Sequence, residues 1–181
     1  MVMAAPTRPW TRAELARLPD DGNRYEVLDR RLLVTPQASY EHQYVGTQLL
    51  IALHKARGAP AAFSVVRPGA VPFGENELQP DIFVIPGAHS TGEWTDLPRP
   101  VLVAEVLSES TRRRDFGIKL DAYLNRVGIP EVWLVDRERR VVHVCVRASD
   151  PRAVADTLTW LAPGAVEPLR IHVQALFPAK G

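Results

Sequence analysis

The run Val101-Leu102-Val103-Ala104-Glu105-Val106-Leu107 limits the fold more than any other stretch, because a glutamate stands inside an otherwise apolar segment. Such a run is far shorter than the roughly 18 apolar residues of a membrane helix, and its branched side chains read as a largely buried β-strand. On a strand, Val101, Val103, Glu105 and Leu107 share one face. Glu105 therefore lies near the C-terminal end of the strand and faces wherever that side opens. A carboxylate there is costly unless it is paired or bound to a metal. A salt bridge to one of the many arginines satisfies that condition, and so does a metal site.

Asp81 occupies a comparable place, after Pro80 and at the head of Ile82-Phe83-Val84-Ile85. Alone, an aspartate after proline is ordinary turn chemistry. Two acidic residues at the ends of apolar strands converge if those strands pair, and a connection of this length allows it. Mg²⁺ takes hard oxygen ligands, keeps several waters and often uses only one or two protein carboxylates. Such a pair is enough for a site.

The rest of the pattern supplies the frame. Thr11-Arg12-Ala13-Glu14 has the form of a capping box, predicting a short helix to about Arg17. Arg24 to Asp29 and Arg31 to Thr35 predict a hairpin turning at Asp29-Arg30. Ser39 can cap a helix from Tyr40 to about Arg57, with Val45, Leu49, Ala52 and Leu53 on one face and Gly58 as its stop. Short strands are expected at 63–66, 70–73, 81–85 and 101–107, with a loop over 86–100 that is rich in Gly, Pro, Thr and His. Asp115 to Arg126 predicts a helix ended by Gly128 and Pro130. Strands follow at 131–136 and 141–147, and weaker ones at 154–160 and 169–173. The order gives an α/β protein, a mixed sheet with helices against it, in one domain spanning 1–181.

Composition narrows the partners. The 22 basic and 21 acidic residues leave a net charge of +1, so no global basic field is present and local clusters must hold any nucleic acid. Arg112-Arg113-Arg114 is one such cluster, although three solvated arginines before a helix are ordinary. Lysine occurs only at positions 55, 119 and 180 among many arginines, which singles out each one. Cys145 is the sole cysteine, and the first ten residues lack the apolar core of a signal peptide. A cytoplasmic protein with no membrane segment is expected.

Six ordered blocks carry a family resemblance. Tyr25-Glu26-Val27-Leu28-Asp29, Tyr40-Glu41-His42, Pro80-Asp81, Glu105 to Thr111, Arg114 to Leu120, and Ile129 to Asp136 together resemble the Uma2 family, within the PD-(D/E)XK nuclease superfamily. The resemblance covers roughly residues 24 to 147. It implies a restriction-endonuclease-like mixed β-sheet core flanked by helices, with an N-terminal helix and β-hairpin. It also implies metal-dependent endonuclease activity on DNA, with Asp81 and Glu105 ligating Mg²⁺ or Mn²⁺. The lysine expected two residues beyond Glu105 is replaced by Leu107, and the resemblance passes its role to Lys119. An Asp115–Lys119 ion pair at i,i+4 spacing is the ordinary alternative for that lysine. Glu41 is the third metal-ligand candidate and Glu26 a weaker one, while His42 suits a hydrogen-bonding role. Arg112, Arg113 and Arg114 are the candidates for backbone phosphates. Two other readings stay open: a nuclease fold that binds nucleic acid without cutting it, and an interaction protein assembling, as a homodimer first of all, through the apolar end at Leu176-Phe177.

Overall fold

Two sheets and one kinked helix meet around the predicted carboxylates in the computed structural model, which describes residues 9–56, 62–89, 91–109, 111–162 and 164–179. Strands β1 (Arg24–Leu28), β2 (Arg31–Thr35), β4 (Val71–Phe73) and β5 (Asn76–Leu78) form a four-stranded sheet in the order β2-β1-β5-β4. A six-stranded sheet holds β3 (Phe63–Val66), β6 (Ile82–Pro86), β7 (Leu102–Leu107), β8 (Glu131–Asp136), β9 (Val141–Val146) and β10 (Arg152–Val154), ordered β10-β9-β8-β7-β6-β3. Only the β7–β8 pair is parallel. A separate pair, β11 (Thr157–Trp160) and β12 (Leu169–His172), completes the strands among the described residues.

Because successive strand residues point to opposite faces, the six-stranded sheet builds two cores. On one side α2 (Tyr40–Lys55) lays Val45, Leu49 and Leu53 against Ala104, Val106, Trp133 and Val135. On the other, Val103, Leu107, Val132 and Leu134 pack with Leu28, Val71 and Leu78 of the smaller sheet and with Ala122, Tyr123 and Leu124. Glu105 belongs by parity to this second layer. The expected strand is thus buried on both faces, and the mixed α/β architecture is the one the pattern predicts.

Local signals explain most boundaries. The amide of Thr11 donates to the Glu14 carboxylate at 2.8 Å and starts α1 (Arg12–Leu15). Asp29 and Arg30, with φ of 51° and 63°, form the tight turn whose twist suits a two-residue hairpin. Ser39 caps α2 by accepting from the amide of His42 at 3.3 Å. The stop expected at Gly58 lies outside the described residues.

Four expectations need correction. The helix predicted over 115–126 begins earlier, as α3 (Arg112–Arg114), and continues as wide π-helical turns over Asp115–Lys119 and Ala122–Val127. Its backbone breaks at Gly117, where kinks commonly fall. Strand β5 escaped prediction because Asn76-Glu77-Leu78 offers a single buried apolar residue. The strand expected over 154–160 is two, since Asp156 leaves the ladder and its carbonyl accepts from the amide of Val173. Leu176 and Phe177, which the interaction-protein alternative assigns to contacts between copies, are buried in the chain's own core.

Candidate active site

Pairing of β6 with β7 brings Asp81 and Glu105 together. Ile82 pairs with Ala104, so Asp81, one residue earlier, comes beside Glu105, one residue later. The amide of Asp81 donates to Glu105 Oε2 at 3.3 Å, and the amide of Val106 donates to Asp81 Oδ2 at 2.7 Å. Both carboxylates are buried and line a cleft of about 330 Å³ whose rim runs through Gln37, Ser39 and Thr111.

Lys119 reaches the same place from the kinked helix. Its Nζ lies 2.6 Å from Glu105 Oε1 and 2.9 Å from Glu26 Oε1, and its side chain is 1% exposed. Glu26 arrives from β1, fully buried, and its Oε1 also accepts from the amide of Gln79. Its Oε2 is buried with no partner. Tyr123, one turn beyond Lys119, donates its hydroxyl to Glu105 Oε1 at 2.7 Å. Leu107, where the superfamily pattern has lysine, is packed in the second core, so the ammonium beside Glu105 comes from the helix. Asp115 is buried alongside and also acts on Lys119 electrostatically, so the ordinary pair and the site lysine are parts of one cluster.

Two further groups hold Asp81. Arg24 donates through one nitrogen to Asp81 Oδ1 at 2.8 Å and to the Gln79 carbonyl at 2.7 Å. His42 Nε2 lies 3.2 Å from Asp81 Oδ2, and its Nδ1 is buried without a partner. The family-like block that supplied Glu41 thus brings its neighbour His42 into the site. Glu41 itself points elsewhere: its side chain is half exposed and pairs with Arg137 at 3.1 Å. It is not brought to the Asp81–Glu105 pair, because the first turn of α2 turns position 42, not 41, toward the cleft.

The arginine cluster also disperses. Arg112 pairs with buried Asp136 at 2.7 Å, Arg113 is exposed, and only Arg114 lines the cleft, donating to Thr35 Oγ1 at 2.6 Å. Three residues in a row on a helix point in three directions, so a charge run does not make a patch. Arg24 and Tyr123 carried no sequence signal for a site, and Asp115 only as the ordinary partner of Lys119. Only the convergence of distant elements reveals them.

Opposing forces set the proton affinities. Burial pushes the Glu105 carboxyl up to about 7, helped by the charge of Asp81, against the pull of Lys119. Burial acts on Asp81 in the same sense, but His42, Arg24 and the Val106 amide overcome it and hold that carboxyl well below the usual range. Lys119 is desolvated, yet the surrounding carboxylates raise its proton affinity above the ordinary lysine value.

The donor set suits a hard divalent cation. Glu26, Asp81, Glu105 and Asp115 place four buried carboxyls beside three cations, Lys119, Arg24 and Arg114, which leaves one negative charge in excess when all are ionised and His42 is neutral. Among the described residues no group of three or more His, Cys, Asp or Glu side chains is arranged to enclose a metal. The chain therefore offers at most the open, two-carboxylate kind of site that water and phosphate oxygens complete. No helix of the described residues is long and apolar enough to cross a membrane.

Comparison with known proteins agrees with this architecture. A crystal structure of "a putative nuclease belonging to DUF820" from Anabaena variabilis superposes with a TM-score of 0.76 at 19% identity, covering 93% of this chain and 98% of that one. At that identity the likeness establishes the fold. No curated protein matches the chain. The family model for Uma2, described as "Putative restriction endonuclease", matches residues 12–172 and so takes in β1, α2, both carboxylate strands and the kinked helix. The chain belongs to the Uma2 family.

Proposed function

We propose that this chain is a Mg²⁺- or Mn²⁺-dependent endonuclease that hydrolyses phosphodiester bonds of DNA. One observation carries the reading: Asp81 and Glu105 lie side by side on the wall of an open cleft, and Lys119 is buried behind Glu105 at 2.6 Å, between it and Glu26. The family's description and the nuclease-like fold support it. Asp81 and Glu105 would hold a divalent cation, which would supply Lewis acidity for hydrolysis of the phosphodiester.

The chain's own groups do the remainder. Asp81 is fixed by the Val106 amide, Arg24 and His42, which leaves its carboxylate a single orientation. Tyr123 and Lys119 both hold Glu105 Oε1, so Oε2 is turned to the side of Asp81. With its proton affinity raised, Lys119 keeps its charge at neutral pH and cannot serve as a base. Buried behind Glu105, it acts from there as a preorganised positive charge that offsets negative charge building in the cleft and holds Glu105 in place.

The test is nicking of supercoiled plasmid by the purified protein with Mg²⁺, with Mn²⁺ and with chelator, beside Asp81→Ala and Glu105→Ala. Metal-dependent nicking lost in both variants is expected, and equal background from all three proteins sinks the reading. The carboxylates are already engaged by Lys119, Arg24 and His42, which favours a second reading, a nuclease fold that binds nucleic acid without cutting. Binding with no metal-dependent cleavage is its signature.

A further inference from the structure

The cleft over Asp81 does not end there. A second cleft, of about 300 Å³, shares Arg24, Pro36, Gln37, Ala38 and Asp81 with the first and continues away from it to Arg67. Arg137 lines the first cleft and not the second. The two hollows therefore adjoin along these shared residues, with Asp81 at the boundary, Arg137 in the first and Arg67 in the second, and together they are called the groove.

Both arginines are built into place. Arg67 donates to Thr47 Oγ1 at 2.6 Å and to the Gln43 carbonyl at 3.1 Å, both neutral partners on α2. Its guanidinium lies over Gly46, where an added Cβ would come within 2.8 Å of it, so the helix leaves a seat for this side chain. Arg137 donates to the Leu107 carbonyl at 3.0 Å and to the half-exposed Glu41 carboxylate at 3.1 Å. Asp20 and Glu109 also line the groove, as do Arg24 and Arg114, so its charge is mixed along its length.

Tyr40, 85% exposed, opens α2 and lines neither hollow itself. Ser39, the cap before it, lines the first, and Gln43, one turn on and on the same face as Tyr40, lines the second. Nonspecific sites for single strands combine these parts, a groove whose cations follow the backbone and an exposed ring on which a base stacks. A carboxylate pair as recessed as Asp81 and Glu105, 8% and 2% exposed, also suits one strand better than the broad face of a duplex.

We propose that this groove is the path of a single-stranded nucleic acid, with Arg67 and Arg137 holding backbone phosphates on either side of the Asp81–Glu105 pair and Tyr40 stacking a base. The path rests on the nucleic-acid reading of the site, and it is tested by binding alone, without divalent metal, so that failure of cleavage and failure of the path are separate results.

Fluorescence anisotropy in chelator, with labelled oligothymidylate and a duplex of the same length, reads the binding, and its slope against salt counts phosphate contacts. Single strand is expected to bind more tightly than duplex. Arg67→Gln and Arg137→Gln should each weaken it about tenfold and lower the salt slope by about 0.7. Gly46→Ala, which dislodges Arg67 without removing a charge, should weaken it in the same way. Tyr40→Ala should weaken it at least about fivefold with the slope unchanged. Arg170→Gln, on the exposed face of β12, removes a charge away from the groove and should change neither. An oligouridylate arm shows whether the path takes RNA as well as DNA. Wild-type affinity and slope in Arg67→Gln and Gly46→Ala, or tighter binding of duplex than of single strand, overturns the path. Binding with these dependences but no cleavage under metal leaves the path standing and removes the nuclease reading.

Discussion

Lys119 shows how one residue can carry two opposed burdens. Its ammonium compensates Glu26 and Glu105 at 2.9 and 2.6 Å in a place where both carboxylates are buried. Removing one partner of such a cluster leaves uncompensated buried charge, which costs on the order of 3–5 kcal/mol. Lys119→Met should therefore lower stability in urea by about that amount, and Glu26→Gln/Lys119→Met should recover part of it. Neither variant should cleave DNA, because the recovered stability does not restore the positive charge. Recovery of cleavage in the double variant would show that Lys119 is only a structural counterion. The identity of this lysine was legible from its rarity and its family block, whereas its partners were not: Glu26 lies 93 positions away in sequence and meets it only because the small sheet closes over the kinked helix. Asp136 offers a pH test at the same scale. Hydrogen bonds from Arg112 and Arg139 outweigh burial and hold its carboxyl far below the ordinary 3.8. A depressed carboxyl contributes stability that is fully present above its unfolded value and is lost as pH falls through the folded one. Asp136→Asn should be less stable than wild type at pH 7, with the gap narrowing below about pH 4. A gap that stays constant into acid would mean that the aspartate's charge contributes nothing.

At the scale of elements, the strands were readable because apolar run length and polarity alternation are local properties. Strands β1, β2, β6, β7, β8 and β9 fall within a residue of where the pattern puts them. The helix after β7 was readable as a helix but not as a kinked one, since helical periodicity survives a widened turn. That kink matters to the site, because the segment between Gly117 and Gly128 sends both Lys119 and Tyr123 onto Glu105. Its far end is fixed by Gly128, left-handed at φ 79°, whose amide returns to the Tyr123 carbonyl. An added Cβ there would also lie 3.1 Å from the Arg99 guanidinium. Gly128→Ala should cost about 1 kcal/mol, and for a domain of this size lower the melting temperature by about 2–4 °C. Calorimetry showing no change would mean that another residue sets the end of the helix. Glu41 gives the converse lesson: a block resemblance located the right turn of α2, but which of two adjacent residues faces the cleft depends on the angle at which that helix crosses the sheet.

For the molecule as a whole, the site is an electrostatic imbalance held in place by three layers. The small sheet brings Glu26, the large one Asp81 and Glu105, the kinked helix Lys119 and Asp115, and none of these layers alone concentrates the charge. A cation that binds this imbalance stabilises only the assembled fold, because the unfolded chain scatters its carboxylates. At a free concentration about a hundredfold above its dissociation constant, the stabilisation is about 2.7 kcal/mol, and a shift of several degrees in melting temperature follows. The effect should depend on pH with a definite sign. Glu105 holds its proton up to about pH 7, so below that value the cation must displace the proton, and above it the carboxylate is already free. Addition of Mn²⁺ should therefore raise the melting temperature more at pH 8 than at pH 6. Glu105→Gln should flatten that difference, and Asp81→Asn should remove most of the shift at both values. An equal rise in wild type and both variants would place the cation elsewhere on the surface, and the charge excess would then be balanced by the protonation of Glu105 alone.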